Sequence, residues 1–347
     1  MKKTQMALAA VALVASTAAM AADVTVSGRI DYGYATDNGA TSKQTGLQGG
    51  LLAPNFFNVG GSEDLGGGLK ASFNWSNIIV GSGIANAQSW VGVDGEMGGI
   101  KLGKVVDSFW GSGVANFDVT GGQNIGSAVS PVIQFGASNI FQAGAVQANA
   151  NVAGVSIGAT YVANDSGESV SLAQATAGNC TIATACYSGH SSAKGDYSIA
   201  ATTDLGPVKI GAGGSRLSTS TADASATIAT AKTHWFFGAG TTIGGVTANG
   251  LYMKLNTTTV AGLNGSIPLS DAVTAHAAYY DYSDATTAAN GGSMTVIGGK
   301  YALSKSTSAF GNYQTVSGGA AAMVGQPGGT SGLTARSIFI LGVAHSF

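Results

Sequence analysis

The chain has 347 residues, with 15 Lys or Arg against 17 Asp or Glu and a formal net charge of −2 at pH 7. Only 9% of residues are charged, where about 25% is usual for soluble domains, and 54 are glycine. This composition excludes a nucleic-acid footprint, which needs clustered basic charge, and a disordered chain, which would be less hydrophobic and more charged.

At the start, Lys2 and Lys3 precede an apolar run from Met6 to Val14, and Ala19-Met20-Ala21 has the A-x-A pattern of a signal-peptidase site. Residues 1–21 therefore read as a cleaved secretory signal peptide, and residues 22–347 as a single domain. The run is too short to cross a bilayer as a helix, and no later stretch offers the roughly 20 apolar residues a crossing needs.

From Val24 to Tyr32 the even-numbered residues are apolar or glycine and the odd-numbered ones polar, so one face suits lipid and the other water. Leu69, Ala71, Phe73 and Trp75 stand opposite Lys70, Ser72, Asn74 and Ser76 in the same way, and the split returns in Val155 to Tyr161. Only alternate residues must be apolar in a closed membrane barrel, which reconciles low charge with the lack of long apolar runs.

The connections alternate in length. Short ones fall at Glu63–Gly67, Asp94–Gly99, Asn151–Ala153, Asp204–Pro207, Ile243–Gly245, Leu269–Asp271 and Ala302–Lys305. Long ones fall at Asp37–Ala53, Asp107–Ser138, Asn164–Ala193, Leu217–Ala231 and Ser317–Ala335. The predicted fold is thus all-β: a transmembrane antiparallel β-barrel of sixteen strands, with short periplasmic turns, long extracellular loops and a water-filled lumen. The phase of strands between 230 and 300 stays ambiguous. Aromatics near strand ends (Tyr32 and Tyr34, Phe56 and Phe57, Trp235 to Phe237, Tyr279, Tyr280 and Tyr282) read as interfacial girdles. In the closing strand, Phe339, Leu341, Val343, His345 and Phe347 share the greasier face.

Nothing here points to catalysis. His190, His234, His276 and His345 are scattered, and no serine, histidine and carboxylate set can be assembled around a positioned base. Cys180 and Cys186 lie in a Ser, Thr, Ala and Gly-rich stretch without a nearby histidine pair or CxxC, so they read as a small loop disulfide rather than a metal site. The glycine run in DLGGGLK sits between strands, not before a helix, and is no phosphate cradle. No cofactor is expected.

Four stretches, in order along the chain, resemble the Gram-negative general porins, especially the β-proteobacterial and neisserial kind. They are VTVSGRIDYGY, GSEDLGGGLKASF, GGIKLGKVVDSFWG, and the close YALSKSTSAFGNYQTV with LGVAHSF. The resemblance implies a homotrimer in the outer membrane, among its lipids and lipopolysaccharide, passing small hydrophilic solutes and ions. It also implies a third loop, Asp107–Ser138, folded into the lumen, and a terminal Phe347 that serves the outer-membrane assembly machinery as a recognition signal.

In that family basic residues on the wall face acidic residues on the third loop. By motif position, Arg29 and Lys104 match wall positions that are often basic, Lys101 has water-facing parity, and Asp107 and Asp118 are the acidic candidates. Each has a plainer alternative. Arg29 could pair with Asp31, Lys104 needs a bulge to aim inward and otherwise ends the strand as a solvated charge, and Asp107 could cap the loop. The third loop lacks the Pro-Glu-Phe-Gly segment of enteric members, and FQAGAVQANANVAG offers glutamines where relatives often carry an arginine. The expectation is a thin basic wall and weak ion selectivity.

A passive diffusion channel is therefore the leading reading. The alternatives are a barrel used for adhesion or envelope support through Asn164–Ala193 and Ser317–Ala335, and an outer-membrane enzyme. The Cys180/Cys186 disulfide is checked by intact mass before and after reduction: an oxidised pair gains a pair of hydrogens, and an unchanged mass rules the bridge out.

Overall fold

A computed structural model describes residues 23–38, 44–80, 83–120, 140–163, 194–217, 232–255, 258–284, 291–318 and 335–347. The leader 1–21, Cys180 and Cys186, and the third loop from 121 to 138 lie outside the described residues.

Sixteen antiparallel strands form one closed barrel. They are β1 (Asp23–Asp37), β2 in two segments (Gln44–Gly49 and Asn55–Gly66), β3 (Leu69–Val80), β4 (Gly83–Gly95), β5 (Gly98–Val106), β6 (Phe141–Val152), β7 (Val155–Val162) and β8 (Tyr197–Leu205). The second half comprises β9 (Val208–Leu217), β10 (Lys232–Ile243), β11 (Val246–Leu255), β12 (Thr258–Pro268), β13 (Val273–Asp284), β14 (Gly292–Ala302), β15 (Thr307–Gly318) and β16 (Ala335–Ser346). Each strand pairs with its successor, and β16 returns to β1 with Ser346 opposite Arg29 and Ile338 opposite Asp37.

The short turns fall at 67–68, 96–97, 153–154, 206–207, 244–245, 269–272 and 303–306, each overlapping an expected one. Gly67 and Gly68 both have positive φ, +63° and +81°, the conformation that lets a two-residue turn follow the twist of its strands. At the other end, the connection Asp37–Ala53 is corrected: Gln44–Gly49 inside it is a strand segment paired with Tyr32–Asp37. Its sequence, QTGLQG, has one large apolar residue, so its periodicity is silent.

Alternation decides which side chains meet lipid. Val24, Val26, Ile30 and Tyr32 are exposed on the outside, as are Phe339, Leu341 and Val343, while Asp31, Ala35, Asp37, Ile338 and Ile340 are buried on the inside. The same rule corrects the aromatic girdle. Trp235, Phe237 and Tyr279 point outward, but Phe236, Tyr280 and Tyr282 turn inward and are buried.

The broken second strand also shapes the interior. Between its two segments, Leu51 and Leu52 join Ala35, Phe310, Ile338, Ile340 and Ala344 in a buried apolar cluster. The Asp31 carboxylate holds this excursion: Oδ1 accepts from the N–H of Leu51 at 2.6 Å and of Leu52 at 3.2 Å, and Oδ2 from Ala53 at 3.5 Å. Asn55 mends the interrupted ladder, its Oδ1 accepting the Asp31 N–H at 2.7 Å and its Nδ2 donating to the Asp31 carbonyl at 3.3 Å. Asp31 is thus occupied by the main chain, and among the described residues no ion pair joins it to Arg29.

Asp31→Ala strands three buried N–H donors, each worth about 1–3 kcal/mol when left unsatisfied. The expected result is a barrel that still folds, by circular dichroism, but opens at a lower temperature on SDS gels, with Asp31→Asn, which keeps an acceptor oxygen, falling between. Equal melting of all three proteins would contradict this role.

Candidate functional site

The lumen is narrowed from one side by the chain leaving β5. Asp107 starts the excursion. Its N–H donates to the Ile140 carbonyl at 2.7 Å, closing the neck of the loop, and its carboxylate accepts from the Phe109 N–H at 3.2 Å and from the Ser198 hydroxyl of β8. Ser108 adds a second tether, its hydroxyl 2.8 Å from that of Thr160 on β7. A π-helical turn, Phe109–Gly113, and a 3-10 turn, Val114–Phe117, follow.

These turns lie in a trough of glycines on the inner wall. A methyl group at Gly211 would meet the Phe117 ring at 2.8 Å, one at Gly213 the Phe236 ring at 2.6 Å, and one at Gly113 the Phe236 ring at 2.5 Å. At Gly238 it would overlap Phe117 and at Gly158 the Ser112 side chain. The missing side chains admit Phe117 of the loop between Gly211 and Gly238, and Phe236 of β10 between Gly213 of the wall and Gly113 of the loop. Phe109 packs edge-on to Phe236 with ring centroids 5.2 Å apart, and both belong to a buried cluster with Val114, Phe117, Met253 and Tyr280. At the far end Asn264 of β12 clamps the main chain, its Nδ2 donating to the Phe117 carbonyl at 2.7 Å and its Oδ1 accepting from the Val119 N–H at 3.1 Å.

That clamp sets Asp118 against β13 and β14. Its Oδ1 accepts from the Thr120 N–H at 2.9 Å and the Thr120 hydroxyl at 2.6 Å, and its charge acts on His276, Tyr280 and Lys300. Lys300 points inward from β14 and also feels Arg29. Arg29 is half-buried on β1, its guanidinium carbon 5.8 Å from the centroid of the Phe56 ring. His276 is buried on β13 opposite Gly298, and Asn312 of β15 is buried on the other side of Gly298, with no side chain between them.

The remaining candidates are dispersed. Lys101 lies over the Trp90 ring, its Nζ 4.4 Å from the centroid. Lys104 is buried beside a register shift between β5 and β6, and its Nζ donates to the Asn86 carbonyl at 2.7 Å. Asp107 is buried as the tether described above. Phe347 extends the seam: its N–H and carbonyl exchange bonds of 3.0 and 2.9 Å with Gly28, and its ring covers Gly28, where a methyl group would meet it at 2.6 Å.

Sequence reasoning missed Lys300, His276, Asn312 and Asn264. The alternation of Ile297, Gly299 and Tyr301 with Gly298 and Lys300 carried the signal for Lys300. The surrounding glycines and the ambiguous phase of this stretch obscured it.

The family model for Gram-negative porins matches residues 7–321. Among curated protein sequences none matches the chain. Among solved structures, the anion-selective porin from Comamonas acidovorans superposes with a TM-score of 0.76 at 20% identity, covering 94% of this chain and 100% of that one. OmpF from Salmonella typhi, solved in complex with daunomycin, gives 0.67 at 11% identity over 93% and 97% of the two chains. The trimer form of in-vitro folded OmpT from Vibrio cholerae gives 0.65 at 12% over 94% and 100%. With a sixteen-stranded barrel, a loop in its lumen and a family match over most of its length, the chain belongs to the Gram-negative porins and is an outer-membrane channel.

Proposed function

We propose that the mature chain, released from the leader 1–21, assembles as a homotrimer and passes small hydrophilic solutes and ions by diffusion, with a modest preference for anions. Its work is conduction rather than catalysis. The observation that carries the preference is an asymmetry among the inward charges. Asp31 and Asp107 are consumed by hydrogen bonds to main chain and hydroxyls, whereas Arg29, Lys101 and Lys300 turn inward without an ion-pair partner among the described residues. Lys300 thickens the wall expected to be thin, and Asp118 lying against it keeps the preference modest. The trimer form recorded for OmpT and the anion selectivity of the Comamonas porin support the same reading.

The test is the single-channel current of the purified protein in a planar bilayer under a potassium chloride gradient. Openings that close in groups of three and a reversal potential displaced toward that of chloride are expected. Lys300→Gln should lower the chloride-to-potassium permeability ratio, and Asp118→Asn raise it, each about two- to threefold, the effect of one charge about 6–10 Å away in water. A cation-directed potential in the unaltered protein would overturn the preference.

Pore size provides a separate prediction. Gly238→Val drives side-chain atoms into the space of Phe117, so the loop must leave its trough. Conductance should change by an amount that Asn264→Ala, which releases the same loop segment, reproduces in direction. Wild-type conductance in both variants would mean that the docked segment does not set the bore.

A further inference from the structure

We propose that the outer surface of the barrel carries, at the extracellular ends of β9 and β11, a docking site for the headgroup of a doubly phosphorylated lipid, with Arg216 and Lys254 each taking one phosphate. The occupant is lipopolysaccharide of the outer leaflet, and the site does not involve the lumen.

Both strands rise from short turns, at 206–207 and 244–245, so their last residues lie at the rim that carries the long loops. Alternation sends the two cations outward. Arg216 stands between the buried, inward Ser215 and Leu217, and Lys254 between the buried, inward Met253 and Leu255. Arg216 is exposed; Lys254 is half-buried, and its Nζ donates to the Thr259 hydroxyl of β12 at 3.0 Å. The closing arc of the barrel is built differently. On β1 and β14 every charged residue, Asp23, Arg29, Asp31, Asp37 and Lys300, has the inward parity, and β15 has no charged residue. Outward positive charge therefore distinguishes the β9–β11 arc from that one.

The aromatic girdle sets the depth of these cations. Arg216 lies opposite Tyr197 and Lys254 opposite Trp235, whose ring centroid is 5.4 Å from that of Tyr252; all three rings are exposed on the outside. Outward Tyr and Trp mark the boundary between hydrocarbon and headgroups. A cation there escapes most of the penalty it meets at the bilayer midplane, and its long stem carries the charge into the headgroup layer. Hydroxyls accompany it. Thr233 lies opposite Arg216, while Thr259 and Ser283 continue the row from Lys254. Such a row offers hydrogen bonds to phosphate and sugar oxygens, which hydrocarbon has no means to use.

The spacing selects the headgroup. From Arg216 the register passes to Thr233, two residues along β10 to Trp235, and across to Lys254. That is two strand spacings and two residues, about 12 Å from backbone to backbone. Lys254 also leans toward β12, away from Arg216. The two charged tips therefore suit two phosphates held apart on one headgroup, as on the disaccharide of lipopolysaccharide, better than the single phosphate of a phospholipid. Asp281, an exposed outward carboxylate on β13, stands two strands beyond Lys254 and bounds the site on that side by repulsion.

The experiment titrates the purified, lipid-free protein in detergent with short-chain lipopolysaccharide, with its monophosphorylated form and with phosphatidylglycerol, and counts the retained lipids by native mass spectrometry. Preferential retention of the doubly phosphorylated lipid is expected. Arg216→Gln and Lys254→Gln should each weaken it about fivefold, the worth of one basic side chain at an anionic membrane surface, and the double variant should lose the preference. Lys305→Gln, the same change at the turn 303–306 on the opposite rim, should leave it unchanged, and SDS-gel heat modification checks that each variant is a folded barrel. Retention unaltered in both single variants overturns the site. Equal retention of phosphatidylglycerol or of the monophosphorylated form overturns the assignment to a headgroup with two phosphates.

Discussion

Everything in this molecule follows from the hydrogen-bond ladder having no end. In hydrocarbon an unpaired N–H or carbonyl finds no water, so a sheet can cross a membrane only if its last strand pairs with its first. Arg29 to Asp37 meet Ser346 to Ile338, and Gly28 with Phe347 carries the pairing to the final residue. The seam therefore joins the two ends of the described chain. No shorter stretch of it can complete the ring, and until the ring is complete both edges offer themselves to other chains.

Closure fixes the outside and leaves the inside to be solved. Sixteen strands enclose more space than their own inward side chains fill. Two excursions occupy it: the short one at 50–54, capped by Asp31, and the segment 107–120 docked on β7 to β12. Both are held mainly by hydrogen bonds to main chain and by apolar contacts. The acids at their roots, Asp31 and Asp107, are consumed in holding them. The route from backbone closure to a filled lumen thus passes through carboxylates used for architecture.

Fold and family were legible because a membrane barrel repeats one simple rule. Val24 to Tyr32 and Leu69 to Ser76 alternate cleanly, and the glycine and aspartate turns announce themselves. Reading failed where the rule is satisfied by few apolar groups, as in Gln44–Gly49, or where aromatics stand on both faces, as in Tyr279 to Tyr282, whose inner residues belong to the cluster around the docked loop. The site was half visible. Arg29, Lys101 and Asp118 carry charge at motif positions or at readable parity, but that Asp107 would become a tether and Lys104 a donor to Asn86 depends on neighbours 91 and 18 residues away in sequence. No local pattern records such contacts.

The glycine trough ties the wall to the loop as a mould is tied to its casting. Phe117 fits because Gly211 and Gly238 have no side chains, and Phe236 fits because Gly213 and Gly113 have none. A change of volume on either partner alone leaves a clash or a void; the same change shared between them preserves the fit. The width of the passage is therefore adjustable only through paired exchanges, a larger residue on β9 or β10 matched by a smaller one on the loop. A designer seeking a wider or narrower channel on this scaffold has a short set of coupled positions to edit, and single-site screens would pass over nearly all the viable combinations.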